Sequence, residues 1–92
     1  MNITEVRVRP VRSDGKTRGI ASITFSDSFV VKELKIVEGP SGLFVSMPSR
    51  RLGAGGYRDI AHPITAEARS EIQSVVIREF EKQMQDSEAV SH

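Results

Sequence analysis

FVVKELKIVEGPSGLFVSM, residues 29–47, decides the fold. Phe29 to Val37 is rich in β-branched residues and reads as a strand. Val30, Leu34 and Ile36 are read on one face, with Lys32 interrupting. Gly39-Pro40-Ser41-Gly42 is a turn signal, and Leu43 to Met47 follows as a short strand. Two strands joined by so few residues must run antiparallel. Upstream the same grammar repeats. Arg18 to Phe25 places Ile23 and Phe25 in phase with Ala21 beside them, and Ser26-Asp27-Ser28 turns the chain. Ser13-Asp14-Gly15-Lys16 is a hairpin signal, because Asp-Gly supplies the positive φ angles of a tight turn. Ile3 to Arg12 opens the meander, with Val6 and Val8 facing one way and Glu5, Arg7 and Arg9 the other. Pro10 removes a ladder donor and assigns this strand to an edge or a bend.

Downstream the pattern changes. Pro48 to Tyr57 holds Arg50-Arg51 and then Gly53-Ala54-Gly55-Gly56, which reads as a long mobile loop. Arg58 to Ala61 is a short fifth strand stopped by Pro63. Thr65 is placed to cap a helix, with Glu67 in its first turn, where the helix dipole favours an anion. Ala68, Ile72, Val75, Val76, Phe80 and Met84 recur at three- and four-residue spacing and form one apolar stripe. Gln85 to His92 lacks periodicity and reads as a disordered tail. The expectation is an α+β fold: an antiparallel meander of four or five strands with one C-terminal amphipathic helix, dimeric. Residues 1–84 form a single domain and 85–92 the tail.

A chain of 92 residues supports one core. Cysteine is absent, which excludes disulfides and thiolate metal sites and leaves self-association as the supplement to a small core. With no apolar run long enough for a membrane span and no signal peptide, the chain is expected to be soluble and cytoplasmic. The formal charge of +1 hides a division. Residues 1–58 carry ten cations against five anions, net +5, and residues 59–92 carry three against seven, net −4. Such asymmetry suits a polyanion partner and also suits an ordinary solvated surface.

Catalytic and cofactor readings fail on chemistry. Ser49, Asp59 and His62 supply the residue types of a hydrolase triad, but no nucleophile turn surrounds Ser49 and nothing forms an oxyanion hole. No enzyme activity is expected. The histidines, His62 and His92, and the scattered carboxylates have no metal-ligand spacing, so no metal is expected. The glycine run leads into Tyr57-Arg58 and a strand, where a phosphate cradle needs a helix; no cofactor and no small-molecule substrate follow. The basic segment is different. Arg50 and Arg51 open it and Arg58 closes it, and arginine pairs bidentately with phosphate or guanine edges. Tyr57 is placed to stack on a base. Arg7 and Arg9 form either a second basic stripe or charged protection of an edge strand.

Two stretches resemble a known family. Gly42-Leu43-Phe44-Val45-Ser46-Met47-Pro48-Ser49-Arg50-Arg51 and Tyr57-Arg58-Asp59-Ile60-Ala61-His62-Pro63-Ile64 are similar to the core signature of sporulation protein G, the septation regulator. The opening Ile3 to Arg9, Ala21 to Thr24 and Phe29 to Val31 are similar too, so the resemblance runs from about Met1 to Lys82. It implies a small homodimeric α+β regulator of gene expression, linked to septation, cell division and sporulation, that binds DNA and in some members RNA. Carried over residue by residue, the family's basic dipeptide falls on Arg50 and Arg51, with Arg58 in support. The family's helix contact region falls on Ala66 to Glu71, where Glu67 and Glu71 flank Arg69 and make it the weaker contact. The competing reading is a protein-interaction module of the septation machinery that does not touch nucleic acid.

Overall fold

The computed structural model describes residues 2–12 and 15–90. Four strands, β1 (Ile3–Pro10), β2 (Thr17–Phe25), β3 (Phe29–Gly39) and β4 (Gly42–Ser46), form one antiparallel sheet in the order β1-β2-β3-β4. β5 (Ser49–Arg51) and β6 (Tyr57–Asp59) pair in a separate two-stranded sheet, and α1 (Ala66–Val90) closes the chain. The α+β meander with one C-terminal helix is therefore present. The turn expected at 13–16 begins at Ser13 and Asp14, outside the described residues.

The core is a single layer between the sheet and α1. Val8, Ala21, Leu34, Ile36, Val45 and Met47 are buried from the sheet side, and Ile72, Val76 and Phe80 from the helix. Ile23, Ile36 and Val76 are at most 1% exposed. Thr65 caps the helix as expected: its Oγ1 accepts from the amide of Ala68 at 3.0 Å. Gly19 lies under Phe80, where a side chain would be crowded; a Cβ there would stand 3.2 Å from Phe80 Cδ1 and 3.3 Å from the carbonyl oxygen of Arg9.

One strand differs from its reading. Val31, and not Val30, packs against the core beside Leu34 and Ile36, while Val30 is exposed. Such a spacing would break the alternation of an unbroken strand. The register gives the reason: Ala21 pairs with Leu34 but Ile23 pairs with Val31, so β3 spends one residue more than β2 over this step. Glu33, at φ 65°, absorbs that residue in a bulge. A similar shift between Ile3 and Glu5 lets Ile3 and Val6 both reach the core side.

The expected mobile loop is also different. Its flanks pair with each other, so Ser49–Arg51 is a strand, and the fifth strand, read at Arg58 to Ala61, is Tyr57–Asp59 with a partner of its own. The glycines make the turn. The amide of Gly55 donates to Leu52 O at 3.1 Å, and the amide of Leu52 donates to Gly56 O at 3.0 Å. Gly55 and Gly56 hold φ of 97° and 83°, which residues with a Cβ rarely adopt. At the other end of the chain the helix continues to Val90, into the span 85–92 that the sequence assigns to a tail. Ser91 and His92 lie outside the described residues. Met84, read as part of the apolar stripe, is 40% exposed; Phe80 is the last buried residue among the described side chains of the helix.

Candidate nucleic-acid interface

The β5–β6 ribbon holds three of the four arginines singled out from the sequence. Arg50 is the Cα partner of Arg58, and Arg51 the partner of Tyr57. Strand alternation therefore puts Arg50 and Arg58 side by side on one face, and Arg51 with Tyr57 and Ser49 with Asp59 on the other. Every residue from Ser49 to Ile60 is exposed, and Tyr57 is 73% exposed. The ribbon is anchored at its base by the amide of Ile60, which donates to Pro48 O at 2.7 Å.

The hydrogen bonds at Pro48/Ile60 and Leu52/Gly56 fix the phase of the ladder between them. Arg50 and Arg58 occupy the intervening hydrogen-bonded pair, whose Cα atoms stand roughly 5.5 Å apart. Like charges directly opposite each other repel. Among the described residues, no ion pair neutralises Arg50, Arg51 or Arg58; the two ion pairs join Arg7 to Glu5 and Arg18 to Glu38. The ribbon thus presents exposed cations, two of which, Arg50 and Arg58, are mutually unfavourable.

Arg69 is elsewhere. It is exposed in the first turns of α1, its amide donating to Thr65 O at 3.1 Å, with Glu67 and Glu71 on the same stretch of helix. The structure brings Arg50, Arg51 and Arg58 together on one element and leaves Arg69 on another. Arg7 and Arg9 lie on the sheet face turned away from the helix, because their β1 neighbours Val6 and Val8 face the core. Lys35, not singled out from the sequence, joins them there. Arg9 pairs with Ile20 and Ile20 with Lys35, so register alone places the two cations in one row. Alternation with Leu34 and Ile36 turns Lys35 to this face, but only the register sets it beside Arg9.

No group of three or more histidines, cysteines or carboxylates is arranged to hold a metal ion among the described residues, and none of their helices is long and apolar enough to cross a membrane.

Fold and surface together define a small α+β protein, a four-stranded antiparallel sheet backed by one helix, from which a basic two-stranded ribbon projects. Comparison with known proteins gives the family. The SpoVG family model matches residues 1–82. Three relatives named "Putative septation protein SpoVG" are similar over nearly their whole length. That of Alkaliphilus oremlandii is 50% identical over 88 residues, 96% of this chain and 94% of the relative. That of Lachnospira eligens is 51% identical over 82 residues, 89% and 93% of the two chains. That of Acholeplasma laidlawii is 48% identical over 91 residues, 99% and 96%. The chain belongs to the SpoVG family, as the sequence resemblance implied, and the family's name is that of a septation protein and not of an enzyme.

Proposed function

We propose that this protein is a homodimeric, cytoplasmic nucleic-acid-binding regulator, acting on site-specific DNA and also on RNA, in septation, sporulation and gene expression. One observation carries the reading: Arg50 and Arg58 stand opposite each other on an exposed ribbon, with no carboxylate paired to either among the described residues. A phosphate between two guanidinium groups would relieve their repulsion and accept charge-assisted hydrogen bonds from both. A two-stranded ribbon is also one of the two elements that the major groove, about 12 Å wide, admits. Arg51 and Tyr57, on the reverse face, would serve a flanking phosphate and an unpaired base. Arg69 is the lesser contact because Glu67 and Glu71 repel phosphates beside it. The transcriptional role follows from binding at chosen sites, and two copies related by a two-fold axis would present two ribbons to one duplex.

Self-association has its own support. Ile60, Ile64 and Phe29 are 68%, 88% and 66% exposed. Between the two isoleucines in sequence, Ala61, His62 and Pro63 line an apolar hollow of about 130 Å³ that reaches core residues Leu34, Met47 and Ile72. Phe25, which also lines the hollow, is the cross-strand partner of Phe29, and exposed apolar residues beside such a hollow suit a second copy.

The test is fluorescence anisotropy with labelled duplex DNA at low and near-physiological salt, comparing wild type with Arg50→Ala/Arg51→Ala. Salt-sensitive binding that the folded variant loses is the expected result. Binding retained in the variant would remove the ribbon from the site. A wild type that binds no nucleic acid, and is not displaced from a septation partner by competing DNA, would favour the protein-interaction reading.

A further inference from the structure

The sheet has a second face, and α1 does not cover it. Register defines its central row as Arg9, Ile20, Lys35 and Ser46, one residue from each strand. The neighbouring row on one side includes Arg7 and Ser22, and on the other Val37 and Phe44. Arg7, Arg9, Lys32 and Lys35 are all exposed, against Glu5 and Glu33. Glu5 is paired with Arg7, its carboxylate 3.1 Å from Arg7 Nε, and no ion pair engages Arg9, Lys32 or Lys35 among the described residues.

Two hollows connect this face to the ribbon. One of about 370 Å³ is lined by Arg7, Arg9, Ile20, Ser22, Lys32 and Glu33. The next is lined by Ile20, Glu33, Lys35 and Ser49. Ile20 and Glu33 belong to both, and Ser49 is the first residue of β5, directly before Arg50. The hollows therefore run from the cations of the sheet to the foot of the arginine ribbon, with Glu33 the one carboxylate they share. At the edge, Phe44 is 42% exposed, and its ring is held against the backbone at Gly39, where a Cβ would meet it at 2.9 Å.

We propose that the uncovered sheet face is a binding surface for single-stranded nucleic acid, continuous with the ribbon. Arg9 and Lys35 bind consecutive stretches of phosphodiester backbone, and Phe44 offers a fixed ring on which an unpaired base stacks. Charge complementarity selects a polyanion. Width selects the single strand: four strands spaced about 4.8 Å span roughly 14 Å before side chains are added, too broad for a major groove of about 12 Å. The duplex would meet the Arg50/Arg58 face of the ribbon, and the single strand the sheet. This inference rests on the nucleic-acid reading of the ribbon and adds a second surface with a different ligand form.

The experiment compares the full-length wild type with Arg9→Ala/Lys35→Ala, Phe44→Ala and Arg50→Ala/Arg51→Ala. The probes are a labelled single strand of about 20 nucleotides, as RNA and as DNA, and a duplex of equal length. Each neutralised phosphate contact on a single strand contributes about 0.7 to the slope of log K against log salt, so losing two lowers it by about 1.4, or roughly tenfold in affinity at 0.15 M salt. Arg9→Ala/Lys35→Ala is expected to show that loss on both single strands with duplex affinity within about twofold of wild type. Phe44→Ala is expected to weaken single-strand binding at least about fivefold with an unchanged salt slope. Single-strand binding at wild-type strength in the face variants, or an equal loss on duplex, would overturn the proposal while loss in the ribbon variant kept the ribbon reading. A shift in sedimentation of Arg9→Ala/Lys35→Ala would assign the face to a second copy and overturn it as well. A wild type that bound none of the probes would sink both readings together.

Discussion

Replacing Arg58 with glutamate should make the ribbon more stable and the protein a poorer ligand for nucleic acid. Arg50 and Arg58 are direct cross-strand partners. Cross-strand charge pairs are worth roughly 0.2 to 1 kcal/mol in either direction. Arg58→Glu removes a repulsion and installs an attraction, and after screening at this solvated position the swing is about 0.5 to 1.5 kcal/mol. Local opening of the ribbon would then be about two- to twelvefold rarer. Two amides report on it, Leu52 bonded to Gly56 O and Ile60 bonded to Pro48 O, one at each end of the ladder. Hydrogen exchange followed by NMR should be slower at both in Arg58→Glu at low salt, with the gain shrinking in 1 M salt. At the same time duplex affinity should fall at least about fivefold at 0.15 M salt, since one phosphate contact is lost and a carboxylate faces the backbone. Exchange unchanged or faster at Leu52 and Ile60, or slowed equally at both salt concentrations, would refute the claim that the pair is electrostatically strained.

Three further outcomes follow from the packing. Gly19→Ala should cost about 0.5 to 2 kcal/mol in urea denaturation at fixed protein concentration, the overpacking against Phe80 and the Arg9 carbonyl outweighing the smaller entropy of the unfolded chain; a rise in midpoint would mean that Phe80 yields freely. Thr65→Ala should lose about 1 kcal/mol by removing the acceptor for the Ala68 amide, and Thr65→Asp should retain most of it; equal losses in the two variants would show that the cap is not the cause. Gly56→Val should raise exchange at the Leu52 amide by well over tenfold, since a β-branched residue at φ 83° is strained, while leaving the global midpoint within about 0.5 kcal/mol; a global loss would tie the ribbon to the core.

Much of this architecture was legible because it depends on local rules. The alternation of Val6 and Val8 with Arg7 and Arg9, the turn residues between strands, and the repeat of Ile72, Val76 and Phe80 each specify one element without reference to the others. What escaped was set by pairing. Nothing near Glu33 announces that it will take a positive φ; the bulge arises because Leu34 and Val31 must both face the helix, and only β2 supplies that frame. The glycines at 53, 55 and 56 suggested freedom, whereas Gly55 and Gly56 supply the left-handed positions of a hairpin turn. The basic residues Arg50, Arg51 and Arg58 were legible as neighbours, but their pairing was not, and Lys35 became visible only when register placed it in the row of Arg9.

The two-layer arrangement turns the charge division of the sequence into a direction in space. Arg7, Arg9, Lys32 and Lys35 stand on the sheet and Arg50, Arg51 and Arg58 on the ribbon, while α1 carries six acidic residues and three basic ones. A molecule so divided has an electric dipole despite a net charge near zero, and a polyanion's field rotates it during approach so that the sheet side arrives first. Its rate of capture would then fall with added salt faster than a charge of +1 suggests. Once docked, each copy would turn the acidic helix outward beyond its first turns, which hold Arg69, and cover a stretch of negative polymer with a surface that is negative again. A row of bound copies would keep the sign of the nucleic acid while hiding its bases, and any basic protein that next arrived would meet carboxylates in place of phosphates.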